Sequence, residues 1–327
     1  MEIVILPRAP FDFEATARFL RYTETEAVDT FSEGRYRRAF HFQKHLHLLN
    51  VRSRGTLMRP LLAVSFERGS GANRIEKEQA ARLVQHIFST DHDLRKFRAR
   101  VAGDKLMSEL EAAHRGLHIA RWPKLFEALT VSILSQQIST LVAMTLKRRL
   151  VEKFGERLSA GVKTFHAFPK AERLARASIE ELRALGCSGS KALSIIELAQ
   201  SICGGMIDEE KLNRADNESI VEQLVSLRGI GRWTAEWALM LYFGRTDVFP
   251  AGDLAFRNFV VKYYNEGRAM TEREIRAFAR SRWGEWAAYA GIYCLAGMRA
   301  GLINLTSKGV LLSEAASKTR AAKSSGK

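Results

Sequence analysis

Residues 227–237 read LRGIGRWTAEW, with two glycines in three positions and one apolar side chain between them. On the N-terminal side, NESIVEQLVSL is predicted to be a helix capped by Asp216 or Asn217, with Ile220, Leu224 and Leu227 on one face. On the C-terminal side, RWTAEWALMLYF resumes the helical period, with Ala235, Ala238 and Tyr242 on one side. Two helices are therefore joined by a very short glycine turn. At such a turn the amides of Gly229, Ile230 and Gly231 and of the next helix's first residues point outward together, at the positive end of a helix dipole. This predicts an anion site.

Composition says which anion. Lys and Arg number 51 against 36 Asp and Glu, a net charge of +15, which implies a polyanionic partner, nucleic acid ahead of a membrane surface. The chain's 327 residues suggest two domains, and 46% hydrophobic with 27% charged residues is ordinary globular composition. No stretch approaches the roughly 20 apolar residues of a membrane span, and MEIVILPRAP lacks the features of a secretory signal. Cys187, Cys203 and Cys294 are odd in number and widely spaced, so neither a disulfide framework nor a metal-binding pair is expected. The expected location is a reducing one, the cytoplasm, close to the nucleoid in a prokaryote.

Two patterns divide the chain. Residues 1–90 read as an α+β unit with an antiparallel sheet: EIVIL, HLHLLNVRSR and TLMRPLLAVSFE are strand-like, whereas FDFEATARFL and QAARLVQHIF place Phe13, Ala17, Leu20, Leu83, Ile87 and Phe88 at helical spacing. Residues 91–306 read as helical almost throughout. Leu125, Leu129 and Ile133 form one stripe after Pro123; Val142, Leu146, Leu150 and Phe154 form a second that stops at Gly155, a C-cap candidate. Ser178 with Glu181, and Thr271 with Glu274, have capping-box spacing. Residues 307–327, rich in Ser, Ala and Lys, read as a disordered basic tail that is simply solvated. His45 and His47 share a strand face as metal ligands can, but with no third ligand at recognisable spacing they read as surface or core histidines, and no metal is assigned.

The string LRGIGRWTA resembles the helix-hairpin-helix element of DNA repair glycosylases, whose hairpin amides hold DNA phosphates, often with a monovalent cation. In that superfamily a Gly/Pro-rich loop ending in an essential Asp follows about twenty residues later, and DVFPAGDLAFRNF supplies Pro250, Gly252 and Asp253. Asp253 also reads as the N-cap of the helix beginning LAFRNFVV, where amides and dipole favour the ionised carboxylate. The resemblance implies that this carboxylate is catalytic, facing a sugar carbon that becomes positive as its bond to a base breaks.

Within the superfamily, branches that also cut the backbone carry a Lys where this chain has Trp233, so base removal by water without a lyase step is implied. The branch with an iron–sulfur cluster uses four closely spaced cysteines near the C-terminus, where only Cys294 stands, so no cluster is expected. The similarity is greatest to the alkylation-repair branch, DNA-3-methyladenine glycosylase II, through FEALTVSILSQQIST, FPKAERLARASIEELRALGCSGSKALSIIELAQSI, the hairpin, the Asp loop and WGEWAAYAGIY, in that order. It implies a TATA-binding-protein-like sheet domain followed by an all-α glycosylase domain. Trp233 and Trp237, four residues apart, and Tyr293 from the later aromatic segment are the expected base pocket, where a cationic purine over an indole gains about 0.5–2 kcal/mol. Gln136, Gln137, Ile138 and Ser139 are the expected wedge region, with the choice between Gln137 and Ile138 open. Arg232 and Thr234, beside the hairpin, complete the expected DNA contacts. So does Lys191 if LGCSGSKALSII at 185–196 is a degenerate second hairpin; a purely structural turn is the other reading.

The implied activity is that of a monofunctional N-glycosylase, acting as a monomer on double-stranded DNA containing alkylated purines such as 3-methyladenine and 7-methylguanine, leaving an abasic site and requiring no cofactor, with a monovalent cation at the hairpin as an option rather than a requirement. The alternatives are excision of oxidised or deaminated bases on the same fold, and a non-catalytic DNA-binding or damage-sensing protein.

Overall fold

The computed structural model describes residues 2–19, 28–68, 72–161 and 163–305. The expected basic tail, 307–327, lies outside the described residues, as does Leu20.

The N-terminal part holds strands β1 (Ile3–Ile5), β2 (Asp29–Ser32), β3 (Arg35–Phe42), β4 (His45–Ser53) and β5 (Leu62–Arg68), with helices α1 (Phe13–Phe19) and α2 (Arg74–Ile87). The strands form one antiparallel sheet in the order β1-β5-β4-β3-β2. One face packs Phe31, Tyr36, Leu49, Val51, Leu62 and Val64 against Phe13, Val84, Ile87 and Phe88. Strand β4 is buried without interruption through its middle, on both faces, which a half-solvated sheet would not require.

The cover for the second face comes from the helical part. There α3 (Leu94–Val101), α4 (Lys105–Ala113), α5 (Leu125–Ser135) and α6 (Thr140–Phe154) are followed by a hairpin of β6 (Arg157–Ala160) and β7 (Lys163–His166). Phe165 and Ala167 from this segment pack on Ala39 and Leu48 of the sheet. The helical domain is thus not purely α. Gly155, which ends α6, has an extended backbone rather than the left-handed one of a glycine cap. It is small because a Cβ there would collide with the carbonyl of Ala167. An ion pair reinforces the junction: Arg38 of β3, buried, donates from Nη2 to both carboxylate oxygens of Glu127 on α5 at 2.7 and 2.5 Å and lies 3.3 Å from Asp29. A buried guanidinium is tolerated because it is paired in this way.

Beyond the hairpin come α7 (Ala171–Ala175), α8 (Ile179–Ala184), α9 (Gly189–Cys203), α10 (Glu209–Arg214), α11 (Asn217–Val225), α12 (Arg232–Leu241), α13 (Leu254–Tyr264), α14 (Glu272–Trp283) and α15 (Ala287–Arg299). Ser178 and Thr271 form the capping boxes their spacing predicts. Two hydrophobic cores form rather than one bundle. The first gathers α5 to α12 around Leu129, Leu150, Ile195 and Leu224. The second gathers α3, α4 and α13 to α15 around Phe97, Phe256, Phe259 and Trp283. Helix α12 contributes Ala235, Ala238 and Leu239 to the first core and Met240 to the second, so it bridges the two. The cleft opens where it does.

Candidate active-site cleft

The cleft has a volume of about 600 Å³ and is lined by α5, the turn to α6, α12, the start of α13 and the end of α15. Ala128, Val131, Met144 and Leu241 make much of its wall apolar, and Trp233, Trp237 and Asp253 face it together. Trp122 and Ser132 also line it, unanticipated from the sequence. Trp122 precedes the Pro123 helix start, and its only local signal was an aromatic outside any periodic stripe.

Asp253 is the N-cap of α13. Its Oδ1 accepts from the amides of Ala255 at 3.0 Å and Phe256 at 3.4 Å, and its Oδ2 accepts from Trp233 Nε1 at 3.2 Å. Both oxygens are therefore held by donors. These bonds favour the ionised form, as expected of a helix cap, but removal from water outweighs them and leaves the carboxyl above the ordinary aspartate range. Trp237 is fixed by stacking on Phe256, centroids 5.5 Å apart, and meets Trp233 edge-on at 6.3 Å. Tyr293 is not part of this wall. It is 0% exposed inside the second core, and its hydroxyl donates to the Leu117 carbonyl at 3.1 Å. Helical spacing put it on an aromatic face, and that face points inward.

The glycine turn assigns its two glycines different work. Gly229 has φ +76°, and a Cβ there would collide with Ser194 on α9. Gly231, the N-cap of α12, has an ordinary extended backbone, a Cβ there would meet open space, and no side chain caps the helix. Ile230 does not face outward: it is 4% exposed, plugs the first core, and its amide bonds to the Leu227 carbonyl at 3.2 Å. Thr234 is 1% exposed, its Oγ1 taken by Gln136 Nε2 at 3.3 Å. Arg232 is held by Glu218 at 2.5 Å and Glu236 at 3.1 Å, and Arg276 shares Glu236 at 2.7 Å. The side chains of Ile230, Thr234 and Arg232 are thus engaged within the protein, leaving backbone amides at the uncapped end of α12 as the available donors.

The turn from α5 to α6 is similarly divided. Gln136 bonds the Gly229 carbonyl at 2.8 Å besides Thr234, which makes it a brace between the two turns rather than a free DNA ligand. Ser139 caps α6, accepting from the Val142 amide. Gln137 is exposed with φ +57°, and Ile138, 36% exposed, stands on the cleft rim with Leu141. Non-glycine residues in the left-handed region carry strain that surrounding structure must maintain. Lys191 turns inward: its ammonium donates to the carbonyls of Leu134 at 2.8 Å and Gln136 at 2.7 Å, closing the C-terminal end of α5.

Comparison with known proteins identifies this arrangement. Residues 130–285 match the model of the HhH-GPD superfamily base excision DNA repair proteins, and residues 3–123 match the AlkA N-terminal domain. The DNA-3-methyladenine glycosylase of Bacillus subtilis is 31% identical over 67% of this chain and 72% of its own length. DNA-3-methyladenine glycosylase 2 of Escherichia coli is 32% identical over 56% of this chain and 61% of its own. A solved structure, the 3-methyladenine DNA-glycosylase from Archaeoglobus fulgidus, superposes with a TM-score of 0.80 at 27% identity, covering 91% of this chain and 98% of that one. On these matches, together with the hairpin, the cleft and the carboxylate in its wall, the chain belongs to the HhH-GPD superfamily of base excision DNA repair proteins, in its DNA-3-methyladenine glycosylase branch.

Proposed function

We propose that this chain is a monofunctional DNA glycosylase that hydrolyses the N-glycosidic bond of alkylated purines, 3-methyladenine and 7-methylguanine among them, in double-stranded DNA, leaving an abasic site. The observation that carries the reading is Asp253, a carboxylate held by three donors in a cleft whose walls are two indoles and aliphatic side chains. As the base departs, positive charge develops on the sugar, and a fixed anion stabilises that state without reorganising. Among the described lining residues, the only titratable groups are Asp253 and Arg299, so no carboxylic acid or histidine besides Asp253 stands ready to protonate a neutral leaving base. An alkylated purine already carries its positive charge and leaves without that help, and its cation is favoured over Trp233 and Trp237.

The partner is held at the uncapped end of α12, whose amides no side chain claims and where a Cβ added at Gly231 would meet open space. A monovalent cation there would be held by the carbonyls of Leu227 and Gly229, each with one bond already made, and would add positive charge beside the phosphate. Ile138, on the cleft rim, and the exposed Gln137 next to it in sequence would fill the space vacated by the flipped nucleotide. All these groups come from one chain, and a monomer suffices.

Replacing Asp253 by Asn keeps a side chain able to cap α13 while removing the charge. Release of 3-methyladenine from methylated DNA should fall by at least about 10²–10³-fold, the usual cost of losing a preorganised electrostatic group, while duplex affinity stays within a factor of about two to three. Undiminished release by the purified variant would overturn the assignment.

A further inference from the structure

His45 and His47 stand two residues apart on β4, and local sequence offers them no third partner. The fold supplies it from 29 residues downstream of His47: Glu76, in the first turn of α2, brings Oε1 to 2.9 Å from His45 Nδ1 and 3.2 Å from His47 Nε2. We propose that His45 Nδ1, His47 Nε2 and Glu76 Oε1 form a binding site for a divalent transition metal of the zinc class, fastening the start of β4 to the first turn of α2.

The three ligand atoms lie within 4.8 Å of one another. Around a tetrahedral ion with bonds near ~2.0–2.1 Å, neighbouring ligand atoms are separated by about 3.3 Å; the two histidine-to-glutamate separations, 2.9 and 3.2 Å, already lie close to that, and the wider gap between the two histidine nitrogens, within 4.8 Å, would be closed by rotation of the exposed His45 ring. Two imidazole nitrogens and one carboxylate oxygen suit zinc, cobalt, nickel or copper and are a poor set for magnesium or calcium, which take oxygen. Two of the three groups are rigidly presented. Glu76 is buried, and its other oxygen is anchored by the Asn73 amide at 2.9 Å in a capping box. The His47 ring is buried between Phe66, 5.0 Å away, and Phe42, 6.1 Å away. His45 has a side chain 57% exposed, which leaves water access to a fourth coordination position. Neither histidine lines the active-site cleft, so the site is independent of the glycosylase reading.

The test uses the full chain after chelator treatment. One equivalent of Co²⁺ should bind with a visible absorption band of low coordination number, and Zn²⁺ in excess should raise the melting temperature by at least about 2 °C, because an ion bound only by the folded state stabilises it. The His45→Ala variant, altered at the exposed ligand, should melt within about 1–2 °C of the metal-free wild type and lose both responses. His47→Gln serves as a second ligand-removing variant with the same expected losses. A wild-type chain that binds neither ion stoichiometrically would overturn the proposal and leave the triad as hydrogen bonds alone, and responses retained in the His45→Ala variant would place the metal elsewhere and overturn it equally.

Discussion

The helical turns from α8 to α9 and from α11 to α12 each pass through a left-handed glycine, and they treat their polar groups in opposite ways. In the first, Gly186 takes φ +102°, Ser188 caps α9 by accepting from the Lys191 amide at 3.3 Å, and the Lys191 ammonium closes the end of α5. In the second, Gly229 takes φ +76°, Gly231 occupies the capping position, and α12 begins with no side-chain cap. The backbone bend is alike and the chemistry is not. A helix end whose amides a side chain caps is architecture, whereas one left without a side-chain cap beside a carboxylate cleft is available to an outside anion. The rim of that cleft carries the same signature in the exposed Ile138 and Leu141, with the left-handed Gln137 next in sequence.

The sharpest way to break this comparison is to give the second turn what the first already has. Gly231→Asp is compatible with the extended backbone there and installs a cap, so stability should hold or rise by about a few tenths of a kcal/mol. The new carboxylate would occupy the amides and repel a phosphate, and duplex affinity should fall by about 10–100-fold, the scale of removing one charge-assisted hydrogen bond. Fluorescence anisotropy against duplex DNA at fixed salt, paired with thermal melting, measures both; unchanged affinity would mean that the open amides do not hold the backbone.

The converse change is smaller. Ser188→Ala removes the cap of α9 and should lower stability by about 1 kcal/mol, seen as a shift in denaturant midpoint, with duplex affinity unaltered. A matching drop in affinity would show that the first turn also touches DNA.

The smallest expected effect is a shift in the titration of Asp253. The role proposed for it requires the ionised form, and burial lifts its pKa, so base release should decline on the acid side at a pH above the ordinary aspartate value. Trp233→Phe deletes the indole N–H that favours the charged carboxylate while keeping a ring in the wall, and the acid limb of kcat should move further upward. The sign for stability is opposite to that of a depressed carboxylate: a raised aspartate pKa contributes stability at low pH that is lost as pH rises through the folded value. A pH profile of single-turnover release for both proteins decides the point, and a limb that moves down would contradict the bond.

How much of the molecule was legible beforehand follows from the range of the interactions involved. The glycine turn, the Asp253 cap, the Trp233–Trp237 pair and the capping boxes at Ser178 and Thr271 depend on residues within about four positions of one another, and local spacing reports such relations directly. Tertiary packing decided the rest. Periodicity identified Tyr293 as one of a set of aromatics but could not say that its face turns toward Leu117, 176 residues away in sequence. A place beside a hairpin turn marked Arg232, and a degenerate second hairpin would have marked Lys191, as DNA contacts, yet Glu218, Leu134 and Gln136 lay close enough in space to claim them first. The same holds for the covering of the sheet by β6 and β7, the division of the helices into two cores with α12 between them, and the meeting of Glu76 with two histidines. A sequence pattern states which side of an element avoids water and which groups seek a partner. Which partner arrives, and which group is left open for another molecule, is settled only when segments far apart in the chain compete for the same space.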